Sequence, residues 1–219
     1  MEINNIILAI DSSTSVLRIG LIDGEGKITR QESRDKFRHA EHILGLIDRA
    51  MKDGRCSRQG LRGIIVSIGP GSFTGLRVGI ATAKGLGVSL GIPVAGLSIY
   101  NAAAPKIIAR FGPTMLLIPS RRDEFYYGLV KSGKFDDNEI KIVAASELAK
   151  MAQARKMLFL DFEPKALNLP ETTIMEAGDS FISIDDFLQR GGELLADGGD
   201  DLARLEPIYV KKFPAKVSL

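Results

Sequence analysis

The sequence predicts a mixed α/β protein with two lobes, and three observations predict this fold class. Short apolar or alternating runs typical of strands come in two sets, one before and one after about residue 110. Segments with helical spacing separate the later strands of each set. The hydrophobic share, 45% of 219 residues, is enough for one large core or two smaller ones. We therefore predict a first lobe over 1–110 and a smaller second lobe over 111–219, whose final segment is a candidate to return to the first lobe.

Three strands that pair as hairpins are predicted to open the first lobe. A compact apolar run at 6–10 is typical of a strand buried on both faces, and alternation at 17–21 indicates a second strand. The further predicted elements of this lobe are a polar strand at 27–33, an amphipathic helix at about 39–52, a strand at 63–67, a glycine-rich helix after Ser72 and a strand at 93–97. The second lobe is predicted to hold strands at 115–118, 125–130 and 157–160, a short helix opening near Ser146, and a helix at 184–195 interrupted by Gly191 and Gly192.

The most distinctive motif follows the strand predicted at 63–67. Gly69-Pro70-Gly71 forces a tight turn, and Ser72 or Thr74 is placed to cap the next helix. A strand, a glycine turn and a helix N-terminus commonly present backbone N–H groups to an anion. A nucleotide-binding loop is therefore the first hypothesis. It is weakened because the chain has neither a lysine at Walker spacing nor a G-x-G-x-x-G run.

Small residues recur every four positions in the glycine-rich helix, at Gly75, Gly79, Ala83 and Gly87, and we call this line the small-residue stripe. Residues four apart share one face of a helix, so the stripe would form a bare groove. Each interior glycine costs about 1 kcal/mol relative to alanine, which suggests that close approach of another element compensates. Two alternatives stay open: the groove packs inside this protein, or it docks a partner helix.

Charge and cysteine content narrow the class of protein. With a net charge of +2, the chain lacks the basic excess of an autonomous nucleic-acid binder. The pairs Arg121-Arg122 and Lys211-Lys212 are too few to form a basic nucleic-acid-binding face. One cysteine, Cys56, excludes an internal disulfide framework. The first residues lack a signal-peptide pattern, and no apolar run reaches the roughly 20 residues that span a bilayer. We expect a cytoplasmic protein without a membrane anchor.

The order of elements is that of an actin-like nucleotidase (ASKHA) fold. In such a fold the turn after the first strand holds phosphate, which here makes Asp11, Ser12 and Ser13 a candidate degenerate phosphate site. Asp11 could position a metal-bound water in an ATPase or small-molecule kinase, or it could cap its own turn. We favour the turn-capping role. The kinase reading stays as the alternative, although its second-half adenosine signature is missing.

Several segments together resemble one family. Residues 7–13, 39–44, 69–79, 83–86 and 92–98, with 206–211 near the end, are similar to the bacterial TsaB (YeaZ) family of tRNA threonylcarbamoyladenosine biosynthesis. The run GPGSFTGLRVG at 69–79 is the most specific match, and the likeness thins in the second half. One departure is the turn at 119–122, where the family has an Asp-Ala-Arg-like sequence. Any role that the family assigns to the missing aspartate is therefore not implied for this chain.

The resemblance implies a non-catalytic subunit. It would pair with the larger paralogue TsaD, which transfers threonylcarbamoyl to N6 of adenosine 37 in tRNAs reading ANN codons, and the ATPase TsaE would join them. A homodimer would form without the partner, tRNA would be bound only through the complex, and ATP and a metal ion would belong to partner subunits, with no cofactor on this chain alone. The partner interface implied on the first-lobe helices comprises His39, Ile43, Leu44, Ile47, Gly75, Leu76, Gly79, Ile80, Ala83 and Gly87.

The two histidines need separate consideration because TsaD-like proteins hold a metal through histidines on a helix. His39 and His42 are spaced to share a helix face, but the chain has no third histidine. Two imidazoles alone rarely form a metal site. We therefore predict a capping or interface role for His39, and no metal and no catalytic residue on this chain.

Overall fold

The computed structural model describes residues 5–35, 38–121, 123–152, 155–167, 169–170, 173–176 and 181–210. These residues form two five-stranded sheets and five α-helices. In chain order the strands are β1 (Ile6–Asp11), β2 (Leu17–Ile22), β3 (Ile28–Ser33), β4 (Leu61–Gly69), β5 (Val94–Ser98), β6 (Thr114–Pro119), β7 (Glu124–Val130), β8 (Lys141–Ala144), β9 (Met157–Phe159) and β10 (Ile174–Glu176). The helices are α1 (His39–Asp53), α2 (Phe73–Leu90), α3 (Ile99–Phe111), α4 (Ala145–Ala152) and α5 (Ile184–Ala196).

The two sheets repeat one topology. In the first, with order β3-β2-β1-β4-β5, β1 has an antiparallel hairpin on one side and two parallel strands on the other. In the second, with order β10-β9-β6-β7-β8, β6 takes the place of β1 in the same pattern. Because parallel strands need long crossovers, α1 precedes β4 and α2 connects β4 to β5 in the first sheet. This duplicated pattern is the predicted actin-like two-lobe fold.

Helices and sheets alternate in layers. One core lies between α1, α2 and one face of the first sheet, and it contains Ile10, Ile43 and Ile80. A second core holds α3 and α5 between the two sheets, with Phe187 at 0% exposure. A third packs α4 on the outer face of the second sheet around Phe159. The strands buried on both faces are the compact apolar runs of the sequence, as expected for central parallel strands.

The second half of the chain already returns to the first sheet at helix α5, before the final segment of the chain. Helix α5 packs on that sheet, because a Cβ at Gly191 would lie 2.4 Å from the Ile65 side chain. The predicted interruption at Gly191 and Gly192 is wrong, since α5 runs through both residues. Further on, Asp200 N donates to Val94 O at 2.8 Å, so the segment after α5 covers the free edge of β5.

Helix α3 was absent from the sequence prediction, and so were the short strands β8 and β10. Six residues of α3 are buried and few of its residues are polar, so its sequence gives only a weak amphipathic pattern. Pro105 lies inside it, a position where proline usually argues against a helix. No helix in the part of the chain that the structure describes is long and apolar enough to cross a membrane.

Candidate functional site

A cleft of about 840 Å³ separates the two lobes. On the first lobe its wall is formed by the loop after β1, the turn before α2, and the start of α1. On the second lobe it is formed by the end of β6 and by Tyr126 and Asp161, with Tyr209 from the returning segment. A cleft of this size between two lobes is a common ligand-binding position.

The turn before α2 is held by the loop after β1. Gly69 ends β4 with φ of 95°, a conformation that a side chain would strain, which explains glycine at this turn. Ser72 is the N-cap of α2, because its hydroxyl accepts from Gly75 N at 3.2 Å. Ser72 N in turn donates to Ser13 O at 2.7 Å. Of the two predicted caps, Ser72 therefore takes the role.

The carboxylate of Asp11 is used inside the protein. Asp11 is 0% exposed and accepts hydrogen bonds from the amide and the hydroxyl of Ser13. Its other oxygen lies 3.2 Å from the guanidinium of Arg18, which is also buried. Among the three residues of the predicted phosphate site, only Ser13 lines the cleft. The structure thus favours the turn-capping role for Asp11 over positioning a metal-bound water.

The small-residue stripe packs inside the protein. A Cβ at Gly75 would lie 2.1 Å from the carbonyl oxygen of Ser12, and one at Gly79 would lie 2.2 Å from the Ser12 hydroxyl. At the other end, a Cβ at Gly87 would lie 2.5 Å from the side chain of Val94. The loop after β1 and strand β5 therefore fill the groove. Of the two alternatives, the structure supports packing of the stripe inside the protein. It contradicts a groove at the stripe that docks a partner helix.

Most of the other predicted interface residues also point inward. The buried ones are His39, Ile43, Ile47, Leu76 and Ile80. Leu44 differs, because its side chain is 63% exposed on the outer surface of α1. On α2 the corresponding outward residue is Val88, at 72% exposed. Whether these outer surfaces of α1 and α2 contact a partner stays a prediction.

The two histidines have different surroundings. His39 is 7% exposed, and its Nε2 lies 3.0 Å from the carbonyl oxygen of Thr14. His42 Nε2 instead lies 3.1 Å from the carboxylate of Asp35, near the surface. Within the described residues there is no group of three or more His, Cys, Asp or Glu side chains placed to hold a metal ion. The prediction that this chain holds no metal remains to be tested.

An aromatic and cationic cluster at the mouth of the cleft was missed by the sequence analysis. The guanidinium carbon of Arg77 lies 4.0 Å from the centroid of the Phe73 ring. The Tyr209 ring centroid is 6.1 Å from that of Phe73, and Arg77 donates to the Tyr209 hydroxyl at 3.3 Å. Spacing of four residues on a helix pairs Phe73 with Arg77 and could have signalled that half of the cluster. Tyr209 comes from the far end of the chain.

A polar network fixes the start of α3. Ser98 is the N-cap of α3, and its hydroxyl donates to the carboxylate of Asp137 at 2.6 Å. The Asn101 side chain donates to the same carboxylate at 3.2 Å. Burial raises the pKa of Asp137, and these two hydrogen bonds only partly oppose the rise. The network ties the connection after β7 to the lobe junction.

Comparisons with known proteins identify relatives of the chain. The family model described as TsaD, tRNA N6-adenosine threonylcarbamoyltransferase, matches residues 34–190. The Bacillus subtilis protein named tRNA threonylcarbamoyladenosine biosynthesis protein TsaB is 31% identical over 160 residues, covering 70% of this chain and 69% of that protein. The TsaB protein of Escherichia coli is 29% identical over 55% of this chain and 53% of its own length.

Other relatives cover the chain differently. An uncharacterized protein of Mycobacterium leprae is 35% identical over 59% of this chain, but the match spans only 36% of that relative's length. The chain likewise spans 57% of an uncharacterized Mycobacterium tuberculosis relative. Among solved structures, YeaZ from Pseudomonas aeruginosa superposes with a TM-score of 0.72 over 94% of this chain and 99% of its own, at 22% identity. That likeness shows the same fold.

Proposed function

The chain belongs to the TsaB (YeaZ) family, and we propose that it is a non-catalytic subunit in the synthesis of threonylcarbamoyladenosine in tRNA. It pairs with a TsaD-like protein, which transfers the threonylcarbamoyl group to N6 of adenosine 37 in tRNAs that read ANN codons. A TsaE-like ATPase joins this pair. The observation that carries the proposal is the 31% identity over 160 residues with the Bacillus subtilis TsaB protein.

The state of Asp11 supports a role without catalysis. A general base or a holder of a metal-bound water needs a carboxylate that faces the substrate. The carboxylate of Asp11 instead contacts Arg18 and Ser13, and Asp11 does not line the cleft. ATP and the metal ion of the reaction then belong to the partner subunits. An ATPase or small-molecule kinase, the alternative function, would require the Asp11 carboxylate to leave a buried ion pair.

The outer surfaces of α1 and α2 are the proposed contact with the TsaD-like partner. Leu44 and Val88 are large apolar side chains exposed to solvent there, and a partner that covers them would bury their apolar surface. Ala81 and Gly85 also lie on the outer surface of α2, and their small size allows a helix to approach closely. The same surface would form the homodimer when the partner is absent.

The proposal is tested by reconstitution. The purified chain alone should neither hydrolyse ATP nor modify tRNA, whereas adding it to TsaD-like and TsaE-like proteins should restore threonylcarbamoyladenosine, measured by mass spectrometry of digested tRNA. Leu44→Glu should abolish copurification with the TsaD-like protein and leave the melting temperature unchanged, because Leu44 is 63% exposed. Leu194→Glu, at a 38% exposed position on α5, is the control and should pair normally.

Two results would contradict the proposal. ATP hydrolysis by the chain alone that disappears in an Asp11→Ala variant shown by circular dichroism to be folded would establish the kinase or ATPase alternative. Modification of tRNA at full rate by the TsaD-like and TsaE-like proteins without this chain would show that the chain has no role in the reaction.

A further inference from the structure

We propose that the loop after β1 is an anion-binding site that the chain fills with its own Asp161 carboxylate and thereby closes to phosphate. The loop belongs to the first lobe and Asp161 to the second, so the same contact joins the two walls of the cleft. This inference goes beyond the proposed function, because it does not depend on a partner protein. Four observations carry it: paired hydrogen bonds, a preformed loop, the backbone conformation of Asp161 and the charge of the cleft.

The Asp161 carboxylate is bound in the way that an anionic ligand is bound. Ser15 N donates to one of its oxygens at 2.9 Å, and the Ser15 hydroxyl donates to the other oxygen. The two residues are 146 positions apart in the chain, and both are half-buried. An amide and a hydroxyl that converge on one anion can bind a carboxylate or a phosphate, since both offer several charged oxygens. Ser15 therefore forms a site for an anion, and Asp161 is its occupant.

The donors of Ser15 are held in place by contacts that do not involve Asp161. The hydroxyl oxygen of the preceding residue, Thr14, accepts hydrogen bonds from Val16 N at 3.3 Å and from the Arg18 guanidinium at 3.0 Å. These bonds fix the backbone on both sides of Ser15. Because a preorganised site needs little reordering to take a ligand, a free anion should bind these donors once the carboxylate is removed.

The backbone of Asp161 has a conformation that favours glycine. Its φ is 56°, in the left-handed region that aspartate adopts less readily than glycine does. The chain therefore has a carboxylate at a position where glycine would be more relaxed, and the two hydrogen bonds from Ser15 offset that preference. It follows that Asp161→Gly removes the anion without straining the backbone.

The rest of the cleft wall favours an anion. Among the described residues that line the cleft, Asp161 alone is acidic, and Arg121 carries a positive charge. The described lining also includes six residues with hydroxyl groups, which are Ser13, Thr14, Ser15, Ser72, Thr74 and Ser120. A cleft lined by one sign of charge attracts ligands of the opposite sign. The Asp161 carboxylate thus neutralises a wall that would otherwise attract phosphate.

An internal anion has an advantage over a free one. Because Asp161 belongs to the same folded chain, its carboxylate stays near Ser15 after each dissociation, and a free phosphate must displace it. The filled site tethers the loop after β1 to the second lobe and keeps phosphate-bearing ligands out of this end of the cleft. The unmodified chain should accordingly bind inorganic phosphate poorly at Ser15.

Nuclear magnetic resonance of the full, isotope-labelled chain tests the inference at the Ser15 amide. Inorganic phosphate is added at constant ionic strength to the unmodified protein and to Asp161→Gly. We expect the Ser15 amide signal to shift saturably in Asp161→Gly and to stay in place in the unmodified protein. Adding Ser15→Ala to Asp161→Gly removes the hydroxyl donor and should weaken phosphate binding about tenfold, the loss typical of one hydrogen bond to a charged group.

Asp123→Gly is the matched control. Asp123 is an exposed aspartate with φ of 54°, and it is not among the described residues that line the cleft. The substitution removes the same charge from the same backbone conformation, so phosphate should leave the Ser15 amide signal unchanged. Asp161→Asn is a second variant that keeps the size of the side chain. Its amide oxygen can accept a hydrogen bond but carries no charge, so phosphate should displace it.

The outcomes distinguish a filled anion site from an ordinary structural contact. The inference is wrong if folded Asp161→Gly shows no phosphate-dependent shift at Ser15, if the unmodified protein shows the same shift, or if Asp123→Gly behaves as Asp161→Gly does. It is also wrong if neither Asp161 variant folds, because the carboxylate would then be required by the fold and would not be a replaceable ligand. Copurification of the unmodified chain with a TsaD-like protein tests the proposed function separately.

Discussion

Gly75 and Gly85 lie on the same helix and are predicted to respond in opposite ways to the same substitution. A Cβ at Gly75 would lie 2.1 Å from the carbonyl oxygen of Ser12, far inside contact distance. A Cβ at Gly85 would meet nothing within 4 Å. Alanine at either position adds one methyl group and no charge. The pair therefore isolates the effect of the packed stripe from the general effect of removing a glycine.

The magnitudes follow from packing and helix propensity. Gly85→Ala should gain about 1 kcal/mol in the free energy of unfolding, because alanine favours the helix. Gly75→Ala must displace a backbone atom of the loop after β1, and overpacking typically costs about 1–3 kcal/mol. That cost exceeds any gain in propensity in the first turn, so we expect a net loss of about 2 kcal/mol. For a chain of this size, this loss corresponds to about 4–8 °C in melting temperature.

Thermal unfolding followed by circular dichroism, with urea unfolding as a second measure, provides the assay. Gly85→Ala should melt about 2–4 °C above the unmodified protein. Gly79→Leu, which enlarges the same packed face, should be destabilised or insoluble. If Gly75→Ala and Gly79→Leu are as stable as Gly85→Ala and no longer pair with a TsaD-like protein, the stripe is a docking groove and internal packing is refuted.

Three further predictions concern buried charge and metal. Asp11→Asn should cost about 3–5 kcal/mol, because it leaves the Arg18 guanidinium buried without its carboxylate, and Asp11→Asn with Arg18→Met should recover part of the loss in urea unfolding. The raised pKa of Asp137 means that its favourable contribution to stability is present at acidic pH and lost as pH rises through that raised value. The stability of Asp137→Asn relative to the unmodified protein should therefore be greater at neutral pH than at acidic pH. The same stability difference at both pH values would contradict the raised pKa of Asp137. Elemental analysis of untagged protein should find substoichiometric zinc and iron, and a full equivalent that disappears in His39→Ala would contradict the prediction for His39 and His42.

Local patterns were sufficient for the strands of the first lobe and for its helices α1 and α2. The compact run at 6–10 predicted β1 (Ile6–Asp11), and helical spacing at about 39–52 predicted α1 (His39–Asp53), within one residue at each end. These elements have one clear periodicity. Helix α3 has only a weak periodicity, because few of its residues are polar and Pro105 interrupts the pattern. Gly191 led to the opposite error, a predicted break in a helix that is continuous. Its missing side chain lets α5 lie against Ile65 and does not end the helix.

The sequence by itself determined the fold class, the family and the existence of a bare stripe on α2, because these depend on local spacing and on a contiguous motif. Only the tertiary structure decided what fills the stripe, since the loop around Ser12 is distant in the chain from Gly75 and the spacing of the glycines is the same for either neighbour. It also decided that Asp11 pairs with Arg18 inside the protein. The cluster of Phe73 and Tyr209 likewise exists only after folding, because contacts between distant segments leave no period in the sequence.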